Sequence, residues 1–519
     1  MNRPPSTRRL LALNRLSAAL LASLLCLPPA WAQRNALPSL GEGEGISLSA
    51  ERQLGDRIAR ELYRDPDYLE DPVLDEYIQR LWAPLIQSAA ARGELSPELR
   101  ERFAWRLLLG RDRSVNAFAL PGGYLGVHLG LIAVVSSDDE LASVLAHELS
   151  HVTQRHIARS MENQSKMTPW VVGSMILGAL AASKSPQGAQ ALMVGGSAAV
   201  MQTQLSYSRD MEREADRVGF GVMSDAGYDP RGFVGMFGKL QQAAGVNDSG
   251  AFPYLRSHPL TTERIADMQA RVQMIPASRS ALGQEFLQPM LAARARVLSQ
   301  GGVDALRAWI KGAQNLNDSL PLAERAGRLY AASLAHMQLR DWASANQSLL
   351  ALEASVQLRP EAARVARLLR AEAAAMQNDF AQVLQLLLAP GAPGPLARPE
   401  LLAVAQALSQ MPAQAAHAEV TRQLRALITA SPADGQAWQV LASLLRAQGQ
   451  AVAALRAEGE SQWIRMDVSG AVDRLRAAQD LMRNDRRQVV DHIEASIVDA
   501  RLREFQGQLR EMQLEQRQR

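Results

Sequence analysis

Residues 139–159 read DELASVLAHELSHVTQRHIAR. Leu141, Val144, Leu145, Leu149 and Val152 recur at the three- and four-residue steps of one helical face, which predicts a helix. Ser137 followed by Glu140 predicts a capping box at its start. On that helix His147 and His151 stand one turn apart on the same face, so both imidazoles can reach one ion while Glu148 projects beside it. Metal hydrolysis needs this arrangement. Two neutral imidazoles hold Zn²⁺ and leave a position for water, whose pKa falls toward about 7; the glutamate takes its proton and passes it to the leaving amine. Five residues can also match by chance on a solvated helix face, so the reading requires a third ligand.

Met211-Glu212-Arg213-Glu214-Ala215-Asp216 supplies it, within a second helical stretch from Tyr207 to Met223. Glu212 is expected to complete the metal site with His147 and His151. Asp216, one turn on, is expected to accept the free N–H of a ligand histidine and fix its tautomer. Glu214 faces about 160° away from Asp216 on the same helix and is expected in solvent. One zinc per chain follows. Val115–Leu120 and Tyr124–Leu129 read as two strands joined by Pro121-Gly122-Gly123, a turn in which glycine supplies positive φ. A hairpin edge beside the cleft would take a substrate peptide as an added strand.

His258 stands in Ser257-His258-Pro259, stiffened by the proline and within reach of Arg264, which can tether the segment to a carboxylate. Three roles are open to it: a fourth metal ligand that closes the site and keeps it latent, an oxyanion stabiliser, or a surface residue. Between the two metal-site helices lie apolar stretches from Trp170 to Ala182 and from Ala189 to Met201. Each is shorter than the roughly 20 residues a membrane span needs, which suits a helical hairpin that lids the cleft or makes peripheral contact with a membrane surface.

At the N-terminus, Arg3, Arg8, Arg9 and Arg15 precede an uncharged run from Leu16 to Leu27 and then the small-residue site Ala30-Trp31-Ala32. This is the pattern of a secretory signal peptide, with cleavage expected after Ala32 and the periplasm as destination. Residues 33–48, with their Gly-Glu alternation, read as a flexible leader. Removing residues 1–32 takes away four arginines and no acidic residue, which turns the formal charge from +3 to −1. Without a basic excess, no nucleic-acid partner is expected. The single cysteine, Cys26, falls inside the signal, so the exported chain forms no disulfide and must ligate zinc with histidine and carboxylate.

A chain of 519 residues is too long for one core. Composition shifts near Pro276: before it lie the histidine cluster, glycine-rich turns and β-like runs, and after it Ala, Leu, Arg and Gln in helical periodicity. The expected architecture is an α+β, mainly α, zinc metallopeptidase domain over residues 49–276, then an all-α tetratricopeptide-like solenoid over 290–510. Arg340-Asp341-Trp342-Ala343-Ser344-Ala345 returns as Asn378-Asp379-Phe380-Ala381-Gln382-Val383, 38 residues on, and the segment from Ala437 to Ala454 fits the 34-residue tetratricopeptide pattern. Such repeats stack into a curved surface that binds protein segments. All expected ligands precede Pro276, so removing residues 290–519 is expected to leave a folded catalytic domain.

The chain resembles the metallopeptidase family that includes the membrane-embedded CAAX prenyl endopeptidases, the heat-shock protease HtpX and periplasmic members with a tetratricopeptide tail. The resemblance covers roughly Glu51 to Gln273. It rests on Asn116 to Tyr124, on His147 to His151, on Ser208 to Asp216, and on Ser257-His258-Pro259 with Arg264. It implies a zinc endopeptidase that works in outer-membrane protein quality control and in lipopolysaccharide-transport assembly. Its partners would be outer-membrane β-barrel proteins as substrates and their assembly machinery, met through the repeats. An alternative reading is a periplasmic chaperone or assembly adaptor in which proteolysis stays latent.

Overall fold

The structure, a computed structural model, describes residues 46–162, 207–245, 252–275, 286–314, 316, 319–388, 395–484 and 492–517. The signal peptide, almost all of the leader and both apolar stretches at 170–182 and 189–201 lie outside the described residues.

Helix α1 (Leu48–Arg64) leads into the two-residue strand β1 (Tyr68–Leu69), helix α2 (Pro72–Ala91), the short helix α3 (Pro97–Arg102) and strand β2 (Arg106–Gly110). Strands β3 (Ala117–Leu120) and β4 (Tyr124–His128) follow, and then helices α4 (Leu129–Val134), α5 (Asp138–Thr153) and α6 (His156–Glu162). The domain continues with α7 (Arg209–Asp225), α8 (Arg231–Gly245), α9 (Tyr254–Ser257) and α10 (Thr262–Gln273). The mixed sheet runs in the order β1-β2-β4-β3. β2 lies parallel to β4 in its centre, with Arg106 opposite Tyr124 and Gly110 opposite His128. β3 folds back antiparallel on β4, with Ala119 opposite Leu125, and forms an edge of the sheet. The hairpin turns through Gly122 and Gly123 at φ of 72° and 85°, values that a side chain resists.

Helix α5 is walled in on every side: each residue from Glu140 to Thr153 is buried. Its N-terminus is capped by Ser137, whose hydroxyl accepts the Glu140 N–H at 3.2 Å. The capping box stays half closed, because the Glu140 carboxylate accepts the Ser136 N–H at 2.6 Å and pairs with Lys239 at 2.7 Å instead.

Among the described residues the regular structure of the C-terminal region is helical: α11 (Leu287–Ser299), α12 (Val303–Gln314), α13 (Leu322–Gln338), α14 (Trp342–Val356), α15 (Pro360–Met376) and α16 (Phe380–Leu387) come first. They are followed by α17 (Arg398–Leu408), α18 (Ala415–Ala430), α19 (Gly435–Ala447), α20 (Ala451–Ile464), α21 (Val468–Asn484) and α22 (His492–Arg517). The 38-residue recurrence has a conformational basis. Arg340 and Asn378 both adopt positive φ, 58° and 60°, and each is followed by an aspartate, Asp341 or Asp379, that caps the next helix. Met466 and Asp467 repeat the device before α21, at φ 62°. Consecutive helices joined by the same capped turn are consistent with a helical repeat. Among the described residues no helix is long and apolar enough to cross a membrane.

The two regions share one core. A single buried apolar cluster takes in Leu74, Leu85, Leu145 and Met223 from the first region and Met290, Leu291, Tyr330 and Leu369 from the second. Arginines of the helical region also grip an acidic row at the start of α2. Arg294, 5 % exposed, holds Asp71 through its Nε and Nη2 at 2.6–2.9 Å and reaches Glu372 at 2.8 Å. Arg364 bridges Glu76 and Glu400, and Arg465 binds Glu70. The packing therefore gives a different expectation for removal of residues 290–519. A chain ending at 289 loses the cover of α4 and strips Asp71 of the guanidinium that holds it. It is expected to melt without a cooperative transition and to bind a hydrophobic dye, whereas a chain ending after Met376 keeps the shared core. A single sharp transition at the full-length temperature for the shorter fragment would show the helical region to be dispensable.

Candidate metal centre

His147, Glu148 and His151 project from α5 and are 2 %, 0 % and 1 % exposed. Across from them α7 presents Glu212 and Asp216, both 1 % exposed. The two helices meet where Gly219 of α7 touches the α5 backbone: a Cβ at that position would stand 3.1 Å from the main chain of Ala146 and His147. His258, at the end of α9, enters from a third side and is buried too.

Four atoms converge. His151 Nε2 lies 3.0 Å from His147 Nε2, His147 Nε2 lies 3.3 Å from His258 Nδ1, and His258 Nδ1 lies 3.0 Å from Glu212 Oε1. Glu212 Oε1 is 3.4 Å from His151 Nε2, and its other oxygen, Oε2, is 3.5 Å from His147 Nε2. These separations lie near the roughly 3.3–3.6 Å between ligand atoms on a tetrahedral zinc at 2.0–2.2 Å, and His147, His151, Glu212 and His258 have the composition of a zinc site. Charge points the same way. Glu148, Glu212 and Asp216 are three buried carboxylates, and Arg264 is the guanidinium among them. A divalent cation balances such a pocket.

The surroundings hold each group in place. Asp216 Oδ1 lies 2.9 Å from His147 Nδ1, close although out of line for an ideal hydrogen bond. Burial opposes charge on His147, but Asp216 and Glu212 outweigh it and raise its pKa to about 9 in the absence of an ion. Arg264 grips Asp216 with two bonds, at 2.6 and 2.8 Å, and touches Glu212 at 2.6 Å and the Pro259 carbonyl at 2.8 Å. The arginine thus ties the His258 segment to the carboxylates of α7, as its place in the sequence suggested. Glu148 Oε2 accepts the Ala119 N–H of edge strand β3 at 2.9 Å. Its Oε1 faces His258 Nε2 at 3.4 Å. Burial raises the pKa of this carboxyl above the ordinary glutamate value.

Three residues at the site escaped the reading of the sequence. Tyr254 stacks on His258 with ring centroids 4.4 Å apart, and Tyr207 stacks on His151 at 3.8 Å. His156 places Nδ1 2.8 Å from His151 Nδ1 and Nε2 3.1 Å from Glu214. Glu214 is therefore not in free solvent: its side chain is 27 % exposed and pairs with His156 and Arg159, because α6 folds back over that face of α7. The four-residue step from Tyr254 to His258 was a readable signal. Nothing in the sequence connects His156 to Glu214.

A buried histidine–glutamate cluster on an HExxH helix, with an edge strand beside it, fits a single zinc ion and has the layout that zinc peptidase sites use. Residues 73–272 match Peptidase family M48. It is similar to the putative beta-barrel assembly-enhancing protease of Vibrio cholerae, with 35% identity over 294 residues, 54% of this chain and 58% of the relative. The beta-barrel assembly-enhancing protease of Escherichia coli is 32% identical over 315 residues, 58% of this chain and 61% of the relative. The mitochondrial metalloendopeptidase OMA1 of Schizosaccharomyces pombe is 29% identical over 229 residues, 43% of this chain and 61% of its own length. The chain thus matches about six tenths of the length of these relatives.

Proposed function

We propose that this protein is a periplasmic zinc-dependent endopeptidase, exported through a signal peptide cleaved near Ala32, that degrades misfolded or stalled proteins and assists outer-membrane protein assembly. The observation that carries this reading is the convergence of His147, His151, Glu212 and His258 with Glu148 alongside. The assembly role is taken from the names of the bacterial relatives, and outer-membrane β-barrel proteins and their assembly machinery are the corresponding partners.

In this reading His147 Nε2, His151 Nε2 and Glu212 hold the ion. A bound zinc supplies a Lewis acid and an acidified water. Glu148 takes the proton of the attacking water and hands it to the leaving amine, a task suited to a carboxyl raised by burial. The edge strand β3 lines the peptide up as an added strand, and Ala119 N–H, now on Glu148, becomes a donor to it. His258 is the latch. With Nδ1 among the ligand atoms and Nε2 against Glu148, it fills the corner that the attacking water needs. The closed corner also favours a second reading, an assembly adaptor whose proteolysis is normally latent.

The test is degradation of an unfolded β-barrel protein by the purified chain. Cleavage should require about one zinc per chain, stop with a chelator and return when zinc is restored. His258→Ala should cut several-fold faster and cleave itself. Slower cleavage at unchanged zinc content would overturn the latch, and cleavage indifferent to zinc would overturn the proposal as a whole.

A further inference from the structure

We propose that His156, backed by Glu214 and Arg159, is a positioning residue that fixes the tautomer and ring orientation of the metal ligand His151. The inference rests on the zinc reading above. It starts from a break in the helix. Had α5 run on through residue 156, a side chain five positions past His151 would point about 140° away from it. Instead α5 ends at Thr153, and Arg155 takes φ of 53°, a left-handed conformation uncommon for a residue with a side chain. That conformation is held from outside the helix: Arg155 Nε pairs with Glu51 at 2.9 Å and its Nη2 donates to the Ile46 carbonyl at 2.6 Å. The kink starts α6 in a new direction and brings the fully buried His156 ring beneath His151, with the two Nδ1 atoms 2.8 Å apart.

The hydrogens follow from chemistry. Glu214 can only accept, so His156 Nε2, 3.1 Å away, carries a proton. The neutral ring then offers its Nδ1 lone pair, and His151 Nδ1–H donates to it. This leaves the His151 Nε2 lone pair pointing into the ligand cluster. Arg159 closes the chain by donating to the same Glu214 oxygen at 2.8 Å. The two ligand histidines are thus oriented by different means, His147 by the buried carboxylate of Asp216 and His151 by an uncharged ring with its carboxylate one step further out. A ligand whose outer N–H has no acceptor binds metal 10- to 100-fold more weakly.

The experiment measures zinc affinity of the full-length protein against a chromogenic chelator, together with the absorption spectrum of the cobalt-substituted form. His156→Leu removes the acceptor and should weaken zinc binding about 10- to 100-fold and alter the cobalt bands. His156→Gln, which keeps an acceptor oxygen, should recover most of the affinity. Glu214→Ala, on a half-buried side chain, should weaken binding several-fold while leaving the melting temperature of the metal-free protein unchanged, and it decides the matter if His156→Leu does not fold. Wild-type affinity and an unaltered cobalt spectrum in these variants would overturn the relay alone. A wild-type protein that holds no zinc would overturn the zinc reading and the relay with it.

Discussion

Full-length protein carrying Glu148→Gln should keep its zinc and lose peptide hydrolysis by roughly 10²- to 10⁴-fold. The substitution is nearly isosteric, and the amide oxygen can still accept the Ala119 N–H that the carboxylate now holds at 2.9 Å, so the fold has no reason to change. What disappears is the proton acceptor. The ligands His147, His151 and Glu212 are untouched, and metal content by atomic absorption should stay near one per chain. The same variant separates the two functional readings. If β-barrel assembly in cells survives the exchange, the adaptor reading accounts for it; if assembly fails along with cleavage, hydrolysis is the working activity. Retained cleavage would mean that another group acts as the base.

Arg264→Leu should produce the largest loss of stability of any single exchange near the site. The guanidinium is 4 % exposed and compensates Asp216 and Glu212, so its removal leaves two carboxylates buried without it. Breaking such an arrangement from one side costs about 3–5 kcal/mol. The loss should depend on metal. Without zinc the melting temperature should fall by many degrees, and saturating zinc should restore much of it, because the ion takes over part of the charge balance. Arg264→Lys keeps the charge but not the two-pronged grip and should lie between. Equal melting temperatures for wild type and Arg264→Leu without metal would show that Asp216 and Glu212 are neutral there.

The site was legible where its parts follow helical spacing. His147 with His151 and Glu212 with Asp216 are pairs four apart, and α5 and α7 set each pair on one face. The β3–β4 hairpin was legible because Gly122 and Gly123 leave few other turns open. His156 was hidden by a backbone kink at Arg155 that no residue preference announces, and its partner Glu214 lies 58 positions away. The boundary near Pro276 was drawn from a change in composition, which reports secondary structure and not which surfaces meet. An amphipathic helix such as α11 displays an apolar face without naming what covers it; here Met290 and Leu291 join the core of the first region. Nothing in the spacing of Arg294, Arg364 and Arg465 names Asp71, Glu76 and Glu70 as their partners, for the same reason.

Gly219 sets how closely α5 and α7 approach. Where it meets Ala146 and His147, the two ligand-bearing helices touch through their main chains, with no side chain between them to yield or swell. The spacing of the backbones that carry His147, His151 and Glu212 is therefore set by a main-chain contact. A side chain at this position would have to push α5 and α7 apart and carry the candidate ligands with them. A single hydrogen atom in place of a methyl group thus acts as a caliper, two helical turns away from Glu212.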